Sequence, residues 1–165
     1  MIVAFEHLNH KKSLTGRLIS WAESFEYVHV ELIFNHQGWV CFSARNRNKG
    51  VAFLPFDEVV KDASKWKFFS VEPPHHNDQN DEAAHGQALL LEGNSFNYNA
   101  TVWHLFFGYD IKASRGKFCS QLCYEILTQN TQLPLLAQPS IDITPKDLYE
   151  MMNLRYPEIK LETKV

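Results

Sequence analysis

The chain has 165 residues, 45% of them hydrophobic and 13% aromatic, which is enough for one packed core and too apolar for a disordered chain. Its formal charge of −3 comes without a basic stripe, which argues against a nucleic-acid partner, and its three cysteines form no even disulfide framework. The length fits a single domain spanning 1–165. The apolar run Ile2-Val3-Ala4-Phe5 is too short for a signal peptide, and no stretch approaches a membrane span. The expectation is therefore a cytoplasmic protein, of a bacterial or host cell, with no signal peptide and no integral membrane segment.

Residues 2–5 read as a short buried strand. Ser13 can cap a helix over 13–25, with Leu14, Leu18, Trp21, Ala22 and Phe25 on one face. Two strands, 27–34 and 39–44, flank the turn Asn35-His36-Gln37-Gly38, so that pairing brings Ser43 and Ala44 opposite His29 and Val30 to within about a residue. The basic patches His10-Lys11-Lys12 and Arg45-Asn46-Arg47-Asn48-Lys49 read as solvated loops. A third strand, 51–55, ends at its proline. A short helix over 56–63 and a fourth strand over 66–71 follow.

The break Pro73-Pro74-His75-His76-Asn77-Asp78 precedes a helix over 81–92, with Ala84, Ala88, Leu89 and Leu91 inward and Gly93 as its stop. The aromatic stretch 96–108 carries a helix over 102–107. Lys117-Phe118-Cys119-Ser120-Gln121-Leu122 opens another, running to about residue 129. Thr144-Pro145-Lys146-Asp147 is a helix start, with Thr144 as cap and Pro145 in first position. This order gives an α+β fold, a small antiparallel sheet flanked by helices.

Cys119 falls in the first turn of its helix. There the unpaired backbone N–H groups and the positive end of the helix dipole stabilise a thiolate. His29 sits inside an apolar strand, where an imidazole must find a hydrogen-bond partner. A packed core histidine is the commoner reason for such a position. A strand histidine with a helix-opening cysteine is also what a Cys–His pair needs, the imidazole taking the thiol proton and later protonating the leaving group. Two residues can orient the ring. Glu31 shares its strand face but at a poor angle, and can equally be a surface residue; Ser43 comes from the neighbouring strand with better geometry and weaker chemistry. Cys41, mid-strand, and Cys123, one turn below Cys119, read as inert thiols. The other histidines need no function, and His75, His76 and His85 match no compact ligand pattern, so no metal and no cofactor is expected.

The segments Val28-His29-Val30-Glu31-Leu32-Ile33-Phe34, Phe42-Ser43-Ala44, Lys49-Gly50-Val51, Phe118-Cys119-Ser120-Gln121-Leu122 and Ile143-Thr144-Pro145-Lys146-Asp147-Leu148 together resemble the permuted papain-like proteins related to the NlpC cell-wall peptidases. That group includes the YiiX/YaeF-like amidases and the lecithin retinol acyltransferases. In its permuted members the histidine strand precedes the cysteine helix, as His29 precedes Cys119 here. The resemblance implies a circularly permuted papain-like domain in which Cys119 is the nucleophile, His29 the base, and Ser43 stands at the position of a third polar residue that is often an acid. Gln121 stands where many members have Glu, and Val28 where many have Ser. Some members place a C-terminal tyrosine near the site, a role open to Tyr149 or Tyr156.

The expected activity is a cysteine-dependent hydrolase or acyltransferase (thiol peptidase, amidase or acyl hydrolase) acting on an amide, ester or thioester, with a small peptide or a lipid acyl group as substrate. The alternatives are a non-catalytic lipid- or peptide-binding module of the same fold and a viral or phage accessory protein.

Overall fold

A computed structural model describes residues 1–8, 25–35, 38–45, 50–71, 78–95, 118–131, 133 and 143–161. Its strands are β1 (Ile2–His7), β2 (Tyr27–Asn35), β3 (Trp39–Arg45), β4 (Gly50–Pro55), β5 (Trp66–Ser70) and β6 (Glu158–Ile159). The helices are α1 (Phe56–Val59), α2 (Asp78–Leu91), α3 (Cys119–Asn130) and α4 (Pro145–Arg155), with a 3₁₀ turn over Ala63–Lys65. The α+β expectation holds. The expected helices over 13–25 and 102–107 lie outside the described residues, except for Phe25.

The strands form one antiparallel sheet in the order β4-β3-β2-β1-β5-β6. β2 sits inside it, bonded to β1 (Ile2 opposite Ile33, Phe5 opposite Val30) and to β3 (Leu32 opposite Phe42). Strand alternation gives the sheet two apolar faces. Val3, Phe5, Val30, Leu32, Phe34, Phe42 and Ala44 pack with the helices, whereas Ile2, Ala4, Ile33, Cys41 and Phe68 pack with Val60 on the other side. A strand of this kind reads as a continuous apolar run, which is why β2 shows little alternation in the sequence.

α3 is buried nearly all round: Leu122, Cys123, Ile126 and Leu127 are fully enclosed, and Tyr124 almost so. The helix is thus a core element rather than a surface amphipath. α4 opens on a complete capping box: the Thr144 hydroxyl accepts from the Asp147 backbone N–H while the Asp147 carboxylate accepts from that of Thr144. α2 corrects one expectation. Ala84 and Ala88 face the core, but Leu89 is half exposed and Leu90 is 84% exposed. The inward stripe is Ala84, Ala88 and the partly buried Leu91, at i, i+4 and i+7, and Leu89 falls off it by the helical period.

Around Gly50 the backbone is tightly stitched to the end of α2. Val51 N–H donates to the Asn94 carbonyl and Gly93 N–H to the Val51 carbonyl, both at 2.9 Å. A Cβ on Gly50 would stand 2.6 Å from the Asn94 oxygen, so only glycine fits there. Gly93 itself adopts φ +81°, the left-handed conformation that ends a helix.

Candidate active site

Cys119 is the first residue of α3. Its N-cap, Phe118, has no side-chain hydrogen bond to offer, so the helix opens without a capping oxygen that would compete for its first N–H groups. Ser120 anchors the same turn by donating to the Ile143 carbonyl at 2.7 Å, which ties the start of α3 to the segment leading into α4. Cys119 is 9% exposed.

His29 lies on β2 and is 7% exposed. Its partner is Glu31, which is fully buried: the ring Nε2 bonds the Glu31 carboxylate. The two side chains are two residues apart on one strand, an arrangement expected to give a poor angle. In the ladder with β1, Glu6 pairs with His29 and His7 with Tyr27, so Val28 is an extra residue, a one-residue bulge just before His29.

Ser43 is placed differently. Its hydroxyl donates to the Val30 carbonyl at 2.6 Å. Of the two residues expected to orient His29, the structure therefore brings Glu31 to the ring and sets Ser43 on the β2 backbone. There the hydroxyl supplies a hydrogen bond just past the last ladder pair between the strands, Leu32 with Phe42.

Arg45, expected from the sequence to open a solvated loop, belongs to the sheet instead. It is the last residue of β3, and its guanidinium Nη2 pairs with the same Glu31 oxygen that holds His29. The signal was available: a carboxylate buried in an apolar strand requires a counter-charge, and Arg45 follows Ser43 by the two-residue period of a strand face.

The remaining cysteines behave as inert thiols. Burial raises the Cys41 thiol above its ordinary value of 9.0, with the Glu31 charge adding to the rise and Arg45 partly offsetting it. Burial does the same to Cys123, reinforced by Cys119 and Glu31. The two tyrosines also separate. Tyr149 stacks on Tyr27, two residues before His29, with ring centroids 5.0 Å apart and planes at 12°. The Tyr156 hydroxyl reaches Thr131 Oγ1 at 3.5 Å, beyond the C-terminal end of α3, a helix length from Cys119.

His85 packs against Phe34 and Phe53, ring centroids 5.3 and 5.2 Å away. His75 and His76 lie outside the described residues. Among the described residues no three His, Cys, Asp or Glu side chains group as a metal site would, and the carboxylate beside His29 already pairs with Arg45. No helix of the described residues is long and apolar enough to cross a membrane.

The fold has counterparts among solved structures. Metalloprotein YiiX from Escherichia coli O157:H7 superposes with a TM-score of 0.68 over 98% of this chain and 96% of its own, at 12% sequence identity. The fold is similar to that of YiiX. Such a likeness, at this identity, speaks to architecture alone. No protein-family model matches the sequence, and no curated protein does.

Proposed function

We propose that this protein is a cysteine-dependent acyl hydrolase or acyltransferase, with Cys119 as nucleophile, His29 as general base and acid, and Glu31 as the residue that orients the ring. The observation that carries the reading is the buried hydrogen bond between His29 Nε2 and Glu31. An imidazole held by a carboxylate through one nitrogen is fixed in the tautomer that leaves the other, Nδ1, as the base. The YiiX-like fold and the helix-opening position of Cys119 support it.

In the reaction Nδ1 takes the thiol proton and Cys119 sulfur attacks the acyl carbonyl carbon. The first N–H groups of α3 hold the oxyanion. Collapse breaks the bond to the leaving amine, alcohol or thiol, which departs with the proton from the imidazolium and leaves a thioester on Cys119. Water, deprotonated by His29, or another acceptor nucleophile then releases the acyl group. Substrates are small peptides or lipid acyl groups.

The test is intact-mass detection of an acyl adduct after brief incubation with activated short- and long-chain acyl esters and with peptide amides. An adduct localised to Cys119 that forms in the wild type and not in His29→Ala supports the reading. Adducts spread over all three cysteines, or unaffected by His29→Ala, contradict it.

The near-complete burial of both Cys119 and His29 favours a second reading, a non-catalytic binding module of the same fold. Retention of a lipid or peptide without turnover, with affinity unchanged in Cys119→Ser, would identify that case.

A further inference from the structure

We infer that Arg45 anchors the substrate: the solvent-facing end of its guanidinium takes a carboxylate that the acyl substrate carries close to the bond being cleaved. The inference deepens the proposed function and rests on it for its catalytic meaning, while the carboxylate site itself stands or falls without Cys119.

The three side chains around the base lie at different depths. Glu31 is fully enclosed, the His29 side chain is 9% exposed and that of Arg45 20%. A molecule entering from solvent therefore meets the guanidinium first. Glu31 engages Arg45 at Nη2, through the oxygen that also bonds the ring. That contact is an ion pair without hydrogen-bond alignment, and Nε, also enclosed, has no acceptor among the described residues. With Nε and Nη2 both enclosed, the exposed part of the guanidinium is its Nη1 end. A planar fork of five N–H donors is thus held in place with most of its capacity unused. Folded proteins rarely leave such donors without an acceptor. A guanidinium so fixed selects planar oxyanions over neutral polar groups, because both N–H donors of the fork can be met at once. In an acyl or peptide substrate that oxyanion is a carboxylate.

The position of Arg45 narrows the substrate further. One Glu31 oxygen touches both Nη2 and the ring Nε2, so the guanidinium and the imidazole stand within about 6 Å of each other. A carboxylate on the Arg45 fork is then one to three residues, about 4–10 Å of chain, from a carbonyl at the base. Arg45 closes β3 opposite Gly50, which has no side chain to lie over it. The class this fits is a short peptide or acyl chain with a free carboxylate near the scissile bond, of which a glutaryl group is the simplest form, in preference to an uncharged lipid acyl chain.

The experiment compares two matched esters on the full-length protein, mono-4-nitrophenyl glutarate and the uncharged 4-nitrophenyl valerate. The ratio of kcat/KM for the glutaryl over the valeryl ester is expected to fall about tenfold or more in Arg45→Met, through KM, and to recover in part in Arg45→Lys. A ratio that stays within about twofold, even where both rates drop, makes Arg45 structural and overturns the inference. Should Arg45→Met fail to fold, the ¹⁵N–¹H signal of Arg45 Nε in the parent protein carries the test. Glutarate is expected to shift it saturably and glutaramide to leave it in place; a signal moved by neither, or equally by both, overturns the inference. A glutarate-dependent shift without turnover of either ester supports the Arg45 site and removes the hydrolase. Turnover without charge preference, with an unmoved signal, keeps the hydrolase and removes the site.

Discussion

The imidazole of His29 and the carboxylate of Glu31 are hydrogen-bonded inside the sheet, two residues apart on one strand and just past a bulge at Val28. This pair, rather than any feature of Cys119 alone, separates a candidate base from a packed core histidine. Glu31 also ties together much of the surrounding chemistry. It balances Arg45, and its charge adds to the rise in pKa of both Cys41 and Cys123.

Glu31 and Ser43 are expected to separate cleanly on mutation. Glu31→Ala leaves Arg45 without its buried counter-charge and should cost roughly 3–5 kcal/mol in chemical denaturation. Ser43→Ala removes only the hydroxyl that caps the Val30 carbonyl, a cost of about 1 kcal/mol. Equal losses would mean that the Glu31 cluster contributes no more than an ordinary buried hydrogen bond.

Stability should fall at alkaline pH. Cys41 and Cys123 both have folded-state pKa values raised above 9.0 by burial. A raised value means that the native state holds the proton more tightly than the unfolded chain. The resulting stability is fully present below the unfolded thiol value and is lost as pH climbs beyond it. Each thiol contributes a slope of about 1.4 kcal/mol per pH unit there. Denaturation midpoints measured from pH 8 to 11 should decline above about pH 9, and Cys41→Ala with Cys123→Ala should flatten that decline. An unchanged slope in the double variant would remove the thiols as its cause.

Gly50→Ala should destabilise the junction of β4 with the end of α2, because its methyl group would meet the Asn94 carbonyl at 2.6 Å. Backbone must move, and two hydrogen bonds resist it; the expected loss is about 1–3 kcal/mol. Gly86→Ala, where a Cβ meets nothing within 4 Å, is the matched control and should be neutral or stabilising. Similar melting temperatures for the two variants would contradict the packing described around Gly50.

Much of this was legible in the sequence. Runs of β-branched and aromatic residues closed by Gly, Asn or Pro marked β1 to β5, and Thr144-Pro145 marked α4, because these signals are local. The order of strands was not legible, since the pairing of β1 with β5 joins residues as far apart as Ile2 and Ser70. β6 has two residues, too few for any period. The site divided along the same line. Cys119 and His29 could be picked from position within their elements, but the orienting group depended on which side chains meet in the packed sheet and on the reach of Arg45 from a strand end. Those are properties of packing, which local sequence patterns do not encode.

Activation of Cys119 by His29 is tested by the pH dependence of iodoacetamide labelling of the native protein, resolved by peptide mass spectrometry. Cys41 and Cys123, buried and raised in pKa, serve as internal controls. Cys119 is expected to label at least about tenfold faster than either at neutral pH, with an inflection well below the ordinary thiol range that disappears in His29→Ala. If Cys119 labels no faster than Cys41 or Cys123, or keeps its rate and profile in His29→Ala, then His29 is a packed core histidine and the dyad does not exist.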